Sequence, residues 1–269
     1  MLRSTIIHSA YRQGEVRPRG SFFCHSAARA VLLLALFGGT GLAADQPADE
    51  SGFRALFDGA SLAGWHVSAA TTHSAASGQR SGGAWSVKDG AITGTQDLPG
   101  NGGILVSDES FGDVEIALEA RVDFGVDSGI FLRSSEAGAA YQVLVDYYPG
   151  GSIGGLYGEA LGGDPYIKNF EFLDAPERIR LLPARFPSPV TPEDWPRFWH
   201  GEGWNEIRAR IEGNPPRVTS WINGVRFLEY QDDRRRLPDR GAIALQVHGG
   251  GDHRGQLVRY RNIRVKPRD

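Results

Sequence analysis

The chain has 269 residues and a formal net charge of −3, from 29 basic and 32 acidic side chains. Its one cysteine, Cys24, lies in the first 44 residues; beyond them 24 basic and 31 acidic groups remain, net −7. That balance argues against nucleic acid or an anionic membrane as partner, and it leaves residues 45–269 without disulfides or thiol chemistry.

In chain order, the first element is a leader. Arg3, Arg12, Arg17, Arg19 and Arg29 precede an apolar run from Ala30 to Phe37, and small residues follow. This predicts a secretory signal peptide over residues 1–44, cut near Ala43 or Ala44, and hence a periplasmic or secreted protein. The apolar run is too short to remain as a membrane anchor. Residues 45–52 are a polar lead-in. The rest, 53–269, is long enough for one β-sandwich at the upper end of single-domain size.

Phe53, Leu56 and Phe57 are followed by an Asp58-Gly59 turn and a strand from Trp65. Residues 68–83, rich in Ser, Ala and Gly, predict a surface loop. AWSVKDGAITGT predicts a hairpin around Asp89-Gly90. Val114, Ile116, Leu118, Ala120 and Val122 alternate with mostly polar residues, the pattern of a strand with one wet face. DSGIFLR and YQVLVD then predict two adjacent strands, followed by a glycine-rich segment. Period two places Phe131 and Arg133 on one face, and Gln142, Leu144 and Asp146 together on one face. Polar groups set mid-strand among apolar neighbours suit a binding face better than a core.

Residues 159–203 hold seven prolines and no clear alternation. Thr191-Pro192 predicts a helix start that Pro196 cuts short. A connection this long is read as a lid or rim over a site, or equally as a passive insertion. Asn223-Gly224 marks a further hairpin. In GAIALQVHGG, Ile243, Leu245 and Val247 face one way, Gln246 and His248 the other. Many short strands closed by turns predict an all-β fold, an antiparallel β-sandwich of jelly-roll type with a Pro-rich insertion.

Several stretches occur together in one order: LFDGASLAGW, WSVKDGAITG, SFGDVEIALEARV, DSGIFLR, YQVLVD through LYG, WNEIRARIEG, WINGV, IALQVHGG and YRNIRV. This ordered set resembles the 3-keto-disaccharide hydrolase family, whose fold is similar to the concanavalin A-like lectin/glucanase sandwich. The resemblance covers about residues 53–266. It departs from the family pattern at Asp127, where many members carry Asn. It departs again at Gln142 and Leu144, where many have a Glu followed by a Gln, so that an acid role there passes to Asp146 or Glu159. The closely spaced Glu/Asp/Glu strand motif of laminarinase-type enzymes is missing, and Glu115 and Glu119 do not replace it, which disfavours a two-carboxylate glycosidase mechanism.

The resemblance implies a substrate oxidised at sugar C3. Such a ketone acidifies the C2 proton; its removal expels the C1 substituent, and water adds to the resulting enone. This route requires a base near C2, a donor to the C3 oxygen and an acid for the leaving oxygen. Asp146 or His248 is the candidate base, the other the acid or orienting group. Arg133 is the candidate donor to the enolate oxygen or to hydroxyls, and Glu159 is the reserve carboxylate. Gln142, Gln246 and Asp127 are candidate substrate-binding groups, with Tyr157 or Trp199 stacking on a sugar face. Each has a plainer structural reading: Asp146 as a turn cap, His248 as a strand-end residue, Arg133 paired with a surface acid, Gln246 as solvated sheet surface. His73, His200 and His253 have no partner at ligand spacing, so no zinc site or other cofactor is expected; a structural calcium on loop oxygens has no motif to mark it. The competing readings are a non-catalytic carbohydrate-binding module and an extracellular interaction protein. The discriminating feature is whether Arg133, Asp146, Gln246 and His248 converge in one cleft.

Overall fold

A computed structural model describes residues 50–70, 82–97, 100–250 and 255–268. The leader, His73, His253 and most of the Ser/Ala/Gly-rich loop lie outside the described residues. In chain order the elements are β1 (Arg54–Ala55), β2 (Trp65–Val67), β3 (Ala84–Lys88), β4 (Ala91–Thr95), β5 (Gly103–Phe111), β6 (Val114–Val122), β7 (Gly129–Ser134), β8 (Ala140–Val145), β9 (Ile153–Glu159), β10 (Tyr166–Ile167), β11 (Phe170–Phe172), β12 (Ile179–Leu181), α1 (Trp195–Phe198), β13 (Asn205–Glu212), β14 (Arg217–Ile222), β15 (Val225–Gln231), β16 (Gly241–Val247) and β17 (Val258–Pro267).

All the strands but β11 and β12, which pair with each other, form two antiparallel sheets. The first has the order β15-β14-β13-β6-β17-β4-β3, with β1 also paired to β17; the second has the order β10-β9-β8-β7-β16-β5-β2. Alternation decides which residues meet between them. Val114, Ile116 and Leu118 of β6 and Ile207, Ala209 and Ile211 of β13 face Ile130, Leu132, Tyr141, Val143, Ile243 and Leu245 of the second sheet, all buried in one core. Burying each such aliphatic side chain contributes about 1.5–3 kcal/mol. The result is the antiparallel jelly-roll sandwich that the strand pattern predicts. Glu50 of the lead-in pairs with Arg208 and Arg264, tying that segment to the outer face of the first sheet.

Two local features shape the second sheet. Opposite β16, the register slips between Ala242 and Ala244, which pair with Ser134 and Phe131. The extra residue falls at Arg133, whose φ of 52° is the left-handed conformation of a bulge. In the Pro-rich segment, β10 adds an edge strand to β9, pairing Tyr166 with Tyr157. The hairpin β11-β12 and α1 then bury Phe170, Phe172 and Trp195. The helix begins later than the sequence predicts: Thr191 closes a turn, its carbonyl accepting from the Trp195 amide at 3.0 Å, and Pro196 sits inside the single helical turn.

Candidate functional site

A cleft of about 240 Å³ lies on the outer face of the second sheet, lined by Asp127, Gln142, Leu144, Asp146, Tyr148, Tyr157, Glu159, Tyr166, Gln246 and His248. Its centre is set by strand register. Gly129 pairs with Leu144, and Val126 bridges Tyr147, so Asp127 stands directly across from Asp146. The two carboxyl groups are hydrogen-bonded, and the Tyr148 hydroxyl also bonds to Asp127. Burial first, and the neighbouring Asp127 second, hold the Asp146 carboxyl well above the usual carboxylate range; Lys168 opposes this only in part. Two adjacent carboxylates cannot both ionise cheaply, so Asp127 resists ionisation of Asp146. Asp146 Oδ1 is buried without a hydrogen-bond partner.

Beside the carboxyl pair is an amide pair. Gln142 Nε2 donates to Gln246 Oε1 at 2.8 Å, reaching across β7. It can do so because Gly129 lies beneath: a Cβ there would stand 2.3 Å from Gln142 Nε2. The glycine of the DSGIFLR stretch is therefore required by close approach. The β7 end is fixed from below by Ser128, whose hydroxyl donates to the Gln246 carbonyl at 2.5 Å and lies 2.8 Å from the Tyr260 hydroxyl.

The walls differ in chemistry. On one side is His248, half-buried, with Nδ1 2.7 Å from the Gly249 carbonyl. A carbonyl only accepts, so Nδ1 carries the proton and Nε2 is the acceptor of the neutral ring. On the other side Tyr157 and Tyr166 meet edge to face, centroids 5.4 Å apart. Tyr166 is 57% exposed and stands at the rim. Lys168 lies 5.3 Å from that ring's centroid and donates to the Gly150 carbonyl at 2.7 Å.

Seven sequence-derived candidates thus line one cleft: Asp127, Gln142, Asp146, Tyr157, Glu159, Gln246 and His248. Two do not. Arg133 is re-aimed by its bulge to the end of the sandwich, where it is 3% exposed and donates to the Gly213 carbonyl and to Asp113, both at 2.8 Å. Its guanidinium is committed to joining β7 to the turns of the first sheet, and a stabilising role for it at a substrate oxygen is withdrawn. Trp199 is 3% exposed and stacks on Trp195 at 5.8 Å, inside the aromatic block of the insertion. It offers no face to the cleft. Sequence reasoning missed Tyr148, Tyr166 and Lys168. Tyr148 had a signal, since it continues the period-two row of Gln142, Leu144 and Asp146. Tyr166 and Lys168 sit on or beside a two-residue strand, too short to show a period.

A sequence profile of the 3-keto-alpha-glucoside-1,2-lyase-like domain family matches residues 52–266, nearly all of the described chain. The chain belongs to this family. As a 3-keto-disaccharide hydrolase-like domain it has a carbohydrate-related function, and the cleft falls wholly within the matched residues. Among solved structures, a proposed glycosyl hydrolase from Parabacteroides distasonis is 17% identical, with a TM-score of 0.47 over 81% of this chain and 94% of that one. A carbohydrate-binding module from Bacillus subtilis is 13% identical, with a TM-score of 0.43 over 76% and 95%. A lectin from Griffonia simplicifolia is 10% identical, with a TM-score of 0.42 over 68% and 90%. These likenesses concern the fold. No curated protein matches the chain.

Proposed function

We propose that this chain is an exported enzyme that cleaves glycosidic bonds of sugars already oxidised to the ketone at C3. The observation that carries this reading is the adjacent carboxyl pair Asp127–Asp146, with Asp146 buried, in a cleft that also holds His248. A sugar-binding face needs aromatic rings and hydroxyl partners; it does not need a buried carboxyl set against a second one.

The chemistry follows from those groups. A base takes the C2 proton, leaving an enolate conjugated with the C3 oxygen. The C1–O bond then breaks as the C1=C2 double bond forms, and the departing oxygen takes a proton. Water adds across the enone, hydroxide to C1 and a proton to C2, so the net reaction is hydrolysis. A carboxyl whose pKa is raised by burial and by Asp127 is a better proton acceptor than an ordinary carboxylate; Asp146 takes the C2 proton and passes it to solvent before water adds, and Asp127 and Tyr148 orient it. His248 Nε2, when protonated, serves the leaving oxygen. With Arg133 outside the cleft, the donor to the C3 oxygen falls to the Gln142–Gln246 amide pair, which also holds sugar hydroxyls, and Tyr166 stacks on the ring face.

The test compares a 3-keto-glucoside with the same glucoside unoxidised. The proposal expects release of the aglycone from the 3-keto sugar only, abolished in Asp146→Asn. Tight binding of either sugar by the wild type without bond cleavage would instead identify a carbohydrate-binding module.

A further inference from the structure

His248 stands at the head of a loop with little stiffness of its own. Gly249 and Gly250 follow it, and Gly250 has a φ of 82°, in the left-handed region. Glycine has the widest backbone freedom of any residue, so the ring keeps one orientation only if the loop is tied from outside. The ring's Nδ1 bonds to the Gly249 carbonyl, which shares a peptide unit with the Gly250 amide. Whatever fixes that unit and its neighbours therefore fixes the ring.

Four backbone groups of the loop are tied. The His248 amide donates to the Asp127 carbonyl at 3.2 Å, and the Gly250 amide donates to the Gly100 carbonyl at 3.0 Å. The other two ties come from one side chain. Gln96 Nε2 donates to the His248 carbonyl at 2.9 Å and to the Gly250 carbonyl at 2.7 Å. Both partners are carbonyls, which only accept, so the NH2 end of the amide must face them. Gln96 follows β4 of the first sheet and His248 follows β16 of the second, so this amide crosses from one sheet to the other.

Gln96 is not part of the cleft lining. It lies on a narrow crevice behind Asp127 and His248. It is buried, and its Oε1 has no hydrogen-bond partner. A buried amide oxygen in that state is costly, so packing alone does not favour a glutamine there. What the residue supplies, and an apolar side chain of equal size does not, is the pair of N–H bonds to the histidine loop. We infer that Gln96 is a positioning residue for His248: it clamps the carbonyls on either side of Gly249, so that the Gly249 carbonyl keeps the ring proton on Nδ1 and leaves Nε2 to the substrate. The inference rests on the reading of His248 as the acid for the leaving oxygen.

The test is steady-state kinetics of Gln96→Met, checked for folding by circular dichroism, on two 3-keto-glucosides. The methyl glycoside has an alkoxide that leaves only with a proton; the nitrophenyl glycoside has a phenolate that leaves without one. A displaced acid slows the first and spares the second. On the methyl glycoside kcat should fall about tenfold or more, with KM within about twofold, and on the nitrophenyl glycoside kcat should stay within about threefold of wild type. His248→Ala should show the same pattern more strongly. A second readout needs no substrate: nitrogen NMR of the His248 ring, assigned by the signals lost in His248→Ala, above the pH range in which histidine titrates. The two ring-nitrogen signals, far apart in wild type, should move toward each other in Gln96→Met as the tautomers mix. Gln96→Glu, of the same shape but without the NH2 group, is read in the same way if the Met variant does not fold. Equal loss on both glycosides, or unchanged ring-nitrogen signals, would overturn the positioning role and leave the reading of the cleft standing. A wild type that cleaves neither glycoside would remove that reading, and the inference with it.

Discussion

Replacing Asp146 by Asn probes the raised Asp146 carboxyl without using any substrate. In the unfolded chain Asp146 titrates near the ordinary value of about 3.9. In the fold, burial and Asp127 raise its pKa, so it keeps its proton to higher pH. Between the two values the native state binds more protons than the unfolded state, and stability falls as pH rises. The contribution is complete below about pH 4 and is lost as pH climbs through the native pKa. Each unit of elevation corresponds to about 1.4 kcal/mol, or roughly 3–6 °C in Tm for a domain of this size. An Asn amide cannot ionise and donates to Asp127 as the protonated carboxyl does. Asp146→Asn should therefore match wild type at pH 4 and melt higher than wild type at pH 7–8, by several degrees. Thermal melts across that range by circular dichroism measure this. A variant that melts lower than wild type by the same amount at every pH would show that Asp146 is an ordinary bonded carboxylate, and would refute the reasoning.

Three further outcomes follow from the same geometry. His248→Ala should lower kcat on a 3-keto-glucoside by about 10²–10⁴-fold with little change in KM, measured by steady-state kinetics. Tyr166→Ala, at an exposed ring, should raise KM roughly 3- to 10-fold through lost stacking, while kcat stays within twofold. Arg133→Ala should cost about 2–3 kcal/mol, because it leaves the Gly213 carbonyl and Asp113 without their buried partner. Its kcat/KM at a temperature where the fold persists should equal wild type, since Arg133 lies outside the cleft.

What the sequence made legible was mostly which face a residue occupies. In β8 and β16 the alternation is clean, so Gln142 and Asp146 could be placed on one face and Gln246 and His248 on one face; of the set expected to converge, the structure brings Asp146, Gln246 and His248 to one cleft with Gln142, and leaves Arg133 outside it. Register is another matter. Nothing local says that Asp127 lies across from Asp146; that depends on how β7 slides against β8. The role read for Asp127 was accordingly too small, a substrate contact in place of half of a carboxyl pair. Arg133 failed for a related reason: the one-residue slip opposite Ala242 and Ala244 ends the alternation there. Trp199 failed because the Pro-rich segment has no period, and an aromatic without a period does not reveal whether it is core or rim. In the structure that segment lends the cleft Glu159 and Tyr166, and packs Phe170, Phe172 and Trp195 into an aromatic block.

The most direct test of the elimination chemistry is solvent deuterium at C2. A 3-keto-glucoside is turned over in D2O, with an enzyme-free control for spontaneous exchange, and the product is read by NMR at short times. Elimination followed by addition of water predicts one deuterium at C2 in essentially every product molecule, and no turnover in Asp146→Asn. Cleavage that retains the C2 proton would mean direct displacement at C1 and would contradict the account.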